Sequence, residues 1–131
     1  MTQWKYKGKC VMNGIKYLLD TNIIIGMYER SPAIISLFEN KRAAINECAY
    51  SSVTRMELLG FLSITKDEIN IISALLSQMT QFSIDRVIED KTIALKQQHR
   101  IKLPDAIIIA TALHHNTELL TLDKKLANKI E

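Results

Sequence analysis

The chain has 131 residues, of which 47% are hydrophobic and 24% are charged, and its formal net charge is +3. This balance excludes intrinsic disorder, and the presence of only 4 Gly and 2 Pro argues against an all-β sandwich. There is no apolar run long enough for a transmembrane helix and no secretory signal, and 2 cysteines are too few for a disulfide framework. We therefore expect a soluble, cytoplasmic protein that does not bind a membrane.

The positive charge is concentrated at the N-terminus. Without Lys5, Lys7 and Lys9, the remaining 14 basic residues balance the 14 acidic ones. Because terminal charges are commonly solvated, the net charge does not by itself indicate a nucleic-acid partner. We expect residues 1–12 to be a flexible N-terminal extension and residues 13–131 to be a single domain.

Apolar runs of strand length alternate with helical patterns in the first part of this domain. Residues 15–19 predict a strand and residues 23–29 a helix. A second helix is expected over residues 31–39, because Pro32 suits the first turn of a helix. Residues 44–52 predict the next strand.

The middle of the chain continues this alternation. Thr54 and Glu57 have the spacing of a capping box, which predicts a helix start ahead of the apolar residues 58–62. Residues 66–79 carry apolar side chains at helical spacing, so we expect a helix with one buried face. Residues 81–84 predict a brief strand.

The last third is the most informative part of the sequence. Residues 85–99 predict a helix, and residues 103–113 predict another, with Pro104 in its first turn and apolar side chains nearly all round. Residues 118–122 predict a strand and residues 123–130 a short final helix, after which any further edge strand is missing. Strands that alternate with helices predict an α/β fold, with a mostly parallel sheet of about four strands covered on both faces.

Four acidic residues occur beside apolar segments and not on polar helix faces: Asp20, Glu57, Asp105 and Asp123. Each has a local structural explanation. Asp20 suits an Asx-turn, and Glu57 suits the third position of a capping box. Asp105 is favoured at a helix N-terminus, and Asp123 is favoured as an N-cap.

The predicted positions of these acids also favour a shared site. Asp20 and Asp123 lie at the ends of predicted strands, and Glu57 and Asp105 in predicted first turns of helices. These positions share one edge of an open parallel sheet, where ligands bind. Several carboxylates in one crevice need a compensating cation, and oxygen ligands favour Mg²⁺ or Mn²⁺. Such a site suits in-line hydrolysis of a phosphodiester.

Four segments together resemble the motif series of the PIN-domain family. They are LLDTN at 18–22, SSVTRMELLGF at 51–61, LPDAIIIATAL at 103–113 and LLTLD at 119–123. The resemblance covers about residues 15–126, and the motif spacing is similar to that of VapC-type toxins from bacterial toxin–antitoxin pairs. The N-terminal extension and the early C-terminal stop depart from the family pattern.

The resemblance implies a PIN-like three-layer α/β/α fold and a Mg²⁺- or Mn²⁺-dependent endoribonuclease that acts on RNA. It implies that the four acids form the catalytic and metal-binding set, with Asp20 and Asp105 as direct ligands. Glu57 and Asp123 would complete the site directly or through water, and Asn22 and Thr121 would orient carboxylates or water. The resemblance further implies a homodimer and a cognate antitoxin that covers the active site.

Basic residues near the same edge have two interpretations. They either contact RNA phosphates or are solvated surface charges. These residues are Arg55, Lys102, Lys124 and Lys125.

Other functions have weaker support. Zinc is disfavoured because the cysteines have no CxxC partner and His114 and His115 are adjacent, not four positions apart. A phosphatase of the haloacid-dehalogenase type needs an acid two residues after Asp20, where Asn22 stands. A non-catalytic PIN-fold interaction module, in which the acids serve only as caps, is the remaining alternative.

Overall fold

Four short strands form one sheet in residues 14–129, the part of the chain that the structure, a computed structural model, describes. The strands are β1 (Tyr17–Leu19), β2 (Cys48–Ser51), β3 (Thr80–Phe82) and β4 (Glu118–Leu120). Their order is β3-β2-β1-β4, and every neighbouring pair is parallel. The carboxyl ends of all four strands therefore lie along one edge, as the alternating pattern predicts.

Helices connect the strands and cover both faces of the sheet. They are α1 (Thr21–Tyr28), α2 (Pro32–Lys41), α3 (Ser52–Leu59), α4 (Lys66–Ser77), α5 (Arg86–Gln98), α6 (Leu103–His114) and α7 (Lys124–Lys129). Among the helices of residues 14–129, none is long and apolar enough to cross a membrane. The alternation of strands and helices confirms the predicted α/β fold.

Two apolar clusters lie on opposite faces of the sheet. Neighbouring residues of a strand belong to different clusters. Leu19 and Leu120 lie in one cluster, whereas Leu18 and Leu119 lie in the other. Helices α1, α2 and α4 supply side chains to the first cluster, and α6 and α7 supply the second. This separation follows from the two-residue period of a strand, and it confirms the three-layer arrangement.

The strand predicted over residues 44–52 is shorter than expected. Residues Ile45–Glu47 form a 3₁₀ turn, and the strand begins only at Cys48. Its neighbour β1 begins at Tyr17, directly opposite Cys48. The Glu47 carbonyl still accepts a hydrogen bond from the Lys16 N–H at 2.8 Å, but the turn interrupts the extended backbone before Cys48. The apolar pattern therefore overestimates the strand.

The predicted capping box at Thr54 and Glu57 is wrong. Helix α3 begins three residues earlier than that motif requires, with Ser51 as its N-cap. The Ser51 hydroxyl accepts a hydrogen bond from the Val53 N–H at 3.1 Å. Thr54 is therefore inside the helix, and Glu57 lies in its second turn and not in its first.

The predicted N-terminal extension, residues 1–12, lies outside the described residues. The division of the chain into this extension and one domain over residues 13–131 stays a prediction. Cys48 is fully buried, and burial raises the pKa of its thiol to about 11.

Candidate functional site

Asp20 directly follows β1 and caps helix α1. Its Oδ1 accepts a hydrogen bond from the Thr21 N–H at 2.8 Å, and its backbone N–H donates to the Leu120 carbonyl at 2.9 Å. The side chain is buried, with 7% of the residue exposed. The carboxylate is thus fixed at the end of the central strand, where the sequence predicts it.

Two polar side chains hold the other oxygen of Asp20. The Thr121 hydroxyl donates to Asp20 Oδ2 at 2.6 Å, and Asn22 Nδ2 lies 3.4 Å from the same atom. Asn22 Oδ1 also accepts a hydrogen bond from the Leu122 N–H at 3.2 Å. These contacts join the start of α1 to the segment after β4 and place Asn22 and Thr121 beside Asp20. Their role in orienting carboxylates or water stays a prediction.

Glu57 reaches the same edge from α3. Its Oε1 accepts a hydrogen bond from the Thr21 hydroxyl at 2.6 Å, and that hydroxyl lies 3.1 Å from the hydroxyl of the fully buried Thr54. Glu57 therefore faces Asp20 across Thr21. Within residues 14–129, its carboxylate accepts no hydrogen bond from the Thr54 N–H, the bond that the capping-box interpretation requires.

Asp105 lies in the first turn of α6, as predicted, and is partly buried. Within residues 14–129, its carboxylate accepts no hydrogen bond. Burial raises the pKa of Asp105, and the negative charges of Asp20, Asp123 and Glu57 raise it further, while Lys102 opposes them. Each of the other three acids is thus near enough to Asp105 for its charge to act on that carboxyl.

Asp123 is the N-cap of α7. Its Oδ1 accepts hydrogen bonds from the Lys125 N–H at 3.0 Å and the Leu126 N–H at 3.3 Å. Its own N–H donates to the Thr121 hydroxyl at 3.0 Å. Because the same hydroxyl donates to Asp20, Thr121 links the two aspartates.

The four basic residues differ in their relation to the acids. The charge of Lys102 acts on Asp105, where it opposes the rise in pKa. Arg55 is exposed and opposes the rise in the pKa of Tyr50, which burial causes. Lys124 and Lys125 are exposed on α7, beside Asp123.

The chemistry of the donors fits a hard divalent cation. The acids provide only carboxylate oxygens, which Mg²⁺ and Mn²⁺ prefer, and a cation would offset the mutual repulsion around Asp105. The distances between the acidic side chains, however, are too long for a metal site. Across residues 14–129, no three His, Cys, Asp or Glu side chains stand close enough together to hold a metal ion. The acids thus share one edge without forming a closed ligand cage.

Two threonines at this edge were not predicted from the sequence. Thr21 contacts Asp20 through its backbone and Glu57 through its hydroxyl, and Thr54 contacts Thr21 from within α3. The position of Thr21 between Asp20 and Asn22 was the feature of the sequence that could have indicated a role at the site. Nothing in the sequence indicated that its hydroxyl reaches α3.

Comparison with known proteins identifies the fold. A family model for the PIN domain matches residues 17–130. A search of curated proteins gives no match.

Solved structures agree with the family match. A toxin–antitoxin complex from Klebsiella pneumoniae contains a chain that is 33% identical, with a TM-score of 0.72 over 84% of this chain and 88% of that chain. A chain of VapBC-1 from nontypeable Haemophilus influenzae is 27% identical, with a TM-score of 0.70 over 88% of this chain and 92% of that chain. VapBC2 from Rickettsia felis, bound to a DNA fragment from its promoter, shares the fold at 21% identity and a TM-score of 0.67, over 87% and 92% of the two chains. The motif series, the all-parallel sheet and the family match together show that this chain belongs to the PIN-domain family.

Proposed function

We propose that this protein is a metal-dependent endoribonuclease and the toxin of a type II toxin–antitoxin pair. The observation that supports the proposal is that four carboxylates lie along the carboxyl edge of a parallel sheet in a PIN-domain protein, near enough for three of them to act on the fourth, Asp105. This edge is where open α/β sheets bind ligands. The proposed substrate and partner place the activity in the cytoplasm.

The proposed cofactor is Mg²⁺ or Mn²⁺, held by Asp20 and Asp105 and completed by Glu57 and Asp123, directly or through water. When bound, the cation would supply positive charge that stabilises the oxyanions of phosphodiester hydrolysis. The protein's own contribution is to fix the acids. Thr121 and Asn22 restrain the Asp20 carboxylate, whereas the Asp105 carboxylate accepts no hydrogen bond within residues 14–129, so its oxygens are available for a ligand.

The proposed roles of Glu57 and Asp123 are to complete the site and to position the attacking water. Each carboxylate has one oxygen in a described hydrogen bond, Oε1 of Glu57 and Oδ1 of Asp123. The second oxygen of each can accept a proton or bind water at the site. Lys102, Arg55, Lys124 and Lys125 are the proposed phosphate contacts, because phosphate binding dominates nucleic-acid affinity.

We propose a cognate antitoxin as the protein partner. Support comes from the solved relatives, since the Klebsiella pneumoniae structure is a toxin–antitoxin complex. A homodimer is also proposed, on the resemblance to VapC-type toxins.

One observation favours a second candidate function. Asp20 and Asp123 both cap helices, and residues 14–129 contain no group of acids ready to hold a metal. A non-catalytic PIN-fold interaction module would need the acids only for these caps. Membership of the PIN family gives no support to the phosphatase alternative.

RNA cleavage with and without a chelator separates the two candidates. We expect single-stranded and structured RNAs to be cut in Mg²⁺ or Mn²⁺ and to stay intact in EDTA. Asp20→Asn and Asp105→Asn should each abolish cleavage while circular dichroism shows an unchanged fold. Asp90→Asn, which changes an exposed acid on α5, is the matched control and should cut as the wild type does. Protein that is inert at every metal concentration would support the interaction module.

A further inference from the structure

Thr21 contacts two of the four acids through different groups. Its backbone N–H donates to Asp20 Oδ1 at 2.8 Å, and its hydroxyl donates to Glu57 Oε1 at 2.6 Å. Thr21 is the first residue of α1, whereas Glu57 belongs to α3, 36 positions later. A single side chain therefore links the acid of the central strand to the acid of a separate helix.

Capping of α1 does not account for the position of the Thr21 hydroxyl. Capping of α1 by Asp20 uses the Thr21 N–H, which any residue other than proline supplies. The hydroxyl makes no described bond within α1 and points to α3 instead. Its function must lie in the contact between the two helices.

Thr54 holds the Thr21 hydroxyl from the interior. Thr54 is fully buried, and its Oγ1 lies 3.1 Å from the Thr21 Oγ1. The branched Cβ of Thr21 also restricts its χ1 angle, so the hydroxyl has few alternative positions. Glu57, by contrast, is an exposed side chain with several rotatable bonds. Its bond to Thr21 is the described contact that restricts this freedom.

We infer that Thr21 is a positioning residue that sets the Glu57 carboxylate beside Asp20 for cation binding, with Thr54 as its buried support. The inference rests on the proposed metal-dependent function. A long acidic side chain that is already oriented loses less conformational freedom when it binds a ligand. Side chains that orient metal-binding carboxylates commonly change metal affinity by about 10- to 100-fold when they are removed.

Mn²⁺ affinity, measured by calorimetry on the full chain without RNA, tests the inference. Thr21→Val removes the hydroxyl at nearly constant volume and should weaken Mn²⁺ binding about tenfold. Thr21→Ser keeps the hydroxyl and should bind Mn²⁺ close to the wild-type value. Thr92→Val is the matched control. It makes the same replacement at a buried threonine that donates to the Ile88 carbonyl of its own helix, and it should leave affinity unchanged.

A double-mutant cycle shows whether Thr21 acts through Glu57. In a Glu57→Ala background, Thr21→Val should have no further effect on Mn²⁺ affinity, because the group that Thr21 positions is absent. A purely structural role would weaken binding equally in both backgrounds. If Thr21→Val does not fold, Thr21→Ala replaces it, since the smaller side chain leaves room for a water beside Thr54.

Three outcomes would overturn the inference: wild-type affinity in Thr21→Val, an equal loss in Thr92→Val, or additive effects of Thr21→Val and Glu57→Ala. Mn²⁺ binding by the Asp105→Asn variant shows whether only the role of Thr21 is wrong or the proposed metal-dependent function is wrong as well. If Asp105→Asn loses Mn²⁺ binding and Thr21→Val does not, only the role of Thr21 is rejected. If Asp105→Asn binds Mn²⁺ as tightly as the wild type, the metal site itself is rejected, and the inference with it.

Discussion

Asp105 is held quite differently from Asp20, although both are proposed metal ligands. The Asp20 carboxylate accepts hydrogen bonds from the Thr21 N–H and the Thr121 hydroxyl, with Asn22 as a longer contact. Asp105 accepts none within residues 14–129, and burial and neighbouring acids raise its pKa. A carboxyl with a raised pKa opposes folding when it is ionised, so at neutral pH Asp105 destabilises the metal-free protein.

Asp105→Asn should therefore melt at or above the wild-type temperature in EDTA, with a gain of no more than about 1 kcal/mol because the group is partly exposed. With excess Mn²⁺ the order should reverse, since a ligand that binds only the folded state stabilises it by about 2.7 kcal/mol at one hundred times its Kd. Thermal unfolding followed by circular dichroism measures both. Asp90→Asn serves as control, and equal Mn²⁺ shifts in wild type and Asp105→Asn would contradict a metal-binding role.

Helix α3 illustrates the limit of local sequence patterns. Ser51, Ser52 and Thr54 all suit an N-cap, and the glutamate at position 57 favours the last of them. The helix starts at Ser52 because β2 ends at Ser51, the last residue paired with β3. Local capping rules do not include this pairing, so the sequence predicted the helix but placed its start too late. For the same reason it could not predict the contact of Glu57 with Thr21.

The contact between α1 and α2 leads to a prediction about Gly26. A Cβ at this position would overlap Cγ1 of Ile34, a fully buried residue of α2. Alanine favours a helix over glycine by about 0.5–1 kcal/mol, but overpacking a core costs about 1–3 kcal/mol. Gly26→Ala should therefore lower the free energy of unfolding by about 1 kcal/mol, the difference between the middle values of these two ranges.

Urea denaturation of Gly26→Ala, Ile34→Ala and the double variant measures this contact. The overlap involves the Ile34 side chain beyond Cβ. Gly26→Ala should therefore cost less stability in the Ile34→Ala background than in the wild type. Equal costs in the two backgrounds would show that the two helices do not collide at this position.

The shared edge of the acids was predictable because it depends on topology. Strands that alternate with helices imply a parallel sheet, and a parallel sheet places Asp20 and Asp123 at the same edge. The distances between side chains were not predictable, since they depend on contacts such as Thr121 with Asp20 across 101 positions. The sequence therefore indicated which acids belong together, but not that they share an edge without closing into a metal cage.

The four basic residues near the acidic edge predict salt-dependent RNA binding. If Arg55, Lys102, Lys124 and Lys125 each contact a phosphate, the logarithm of RNA affinity should fall with log salt at a slope of about −3. Replacing both Lys124 and Lys125 by Gln should reduce this slope by about 1.4. Fluorescence anisotropy with single-stranded RNA, in the Asp105→Asn background to prevent cleavage, measures the slope.

Lys91→Gln, which changes an exposed lysine on α5, is the control for this experiment and should leave the slope unchanged. A slope that is the same in the Lys124→Gln/Lys125→Gln variant and the wild type would assign these lysines to the solvated surface. The cleavage mechanism would not depend on that outcome.

The order in which the strands pair has a consequence during synthesis. Central strand β1 receives its second neighbour only from Glu118–Leu120, and the hydroxyl that fixes Asp20 comes from Thr121. A growing chain on the ribosome has made Asp20 and Glu57 long before it reaches these residues. The proposed acidic site of a nascent chain therefore stays incomplete until residues 118–121 have emerged and reached β1.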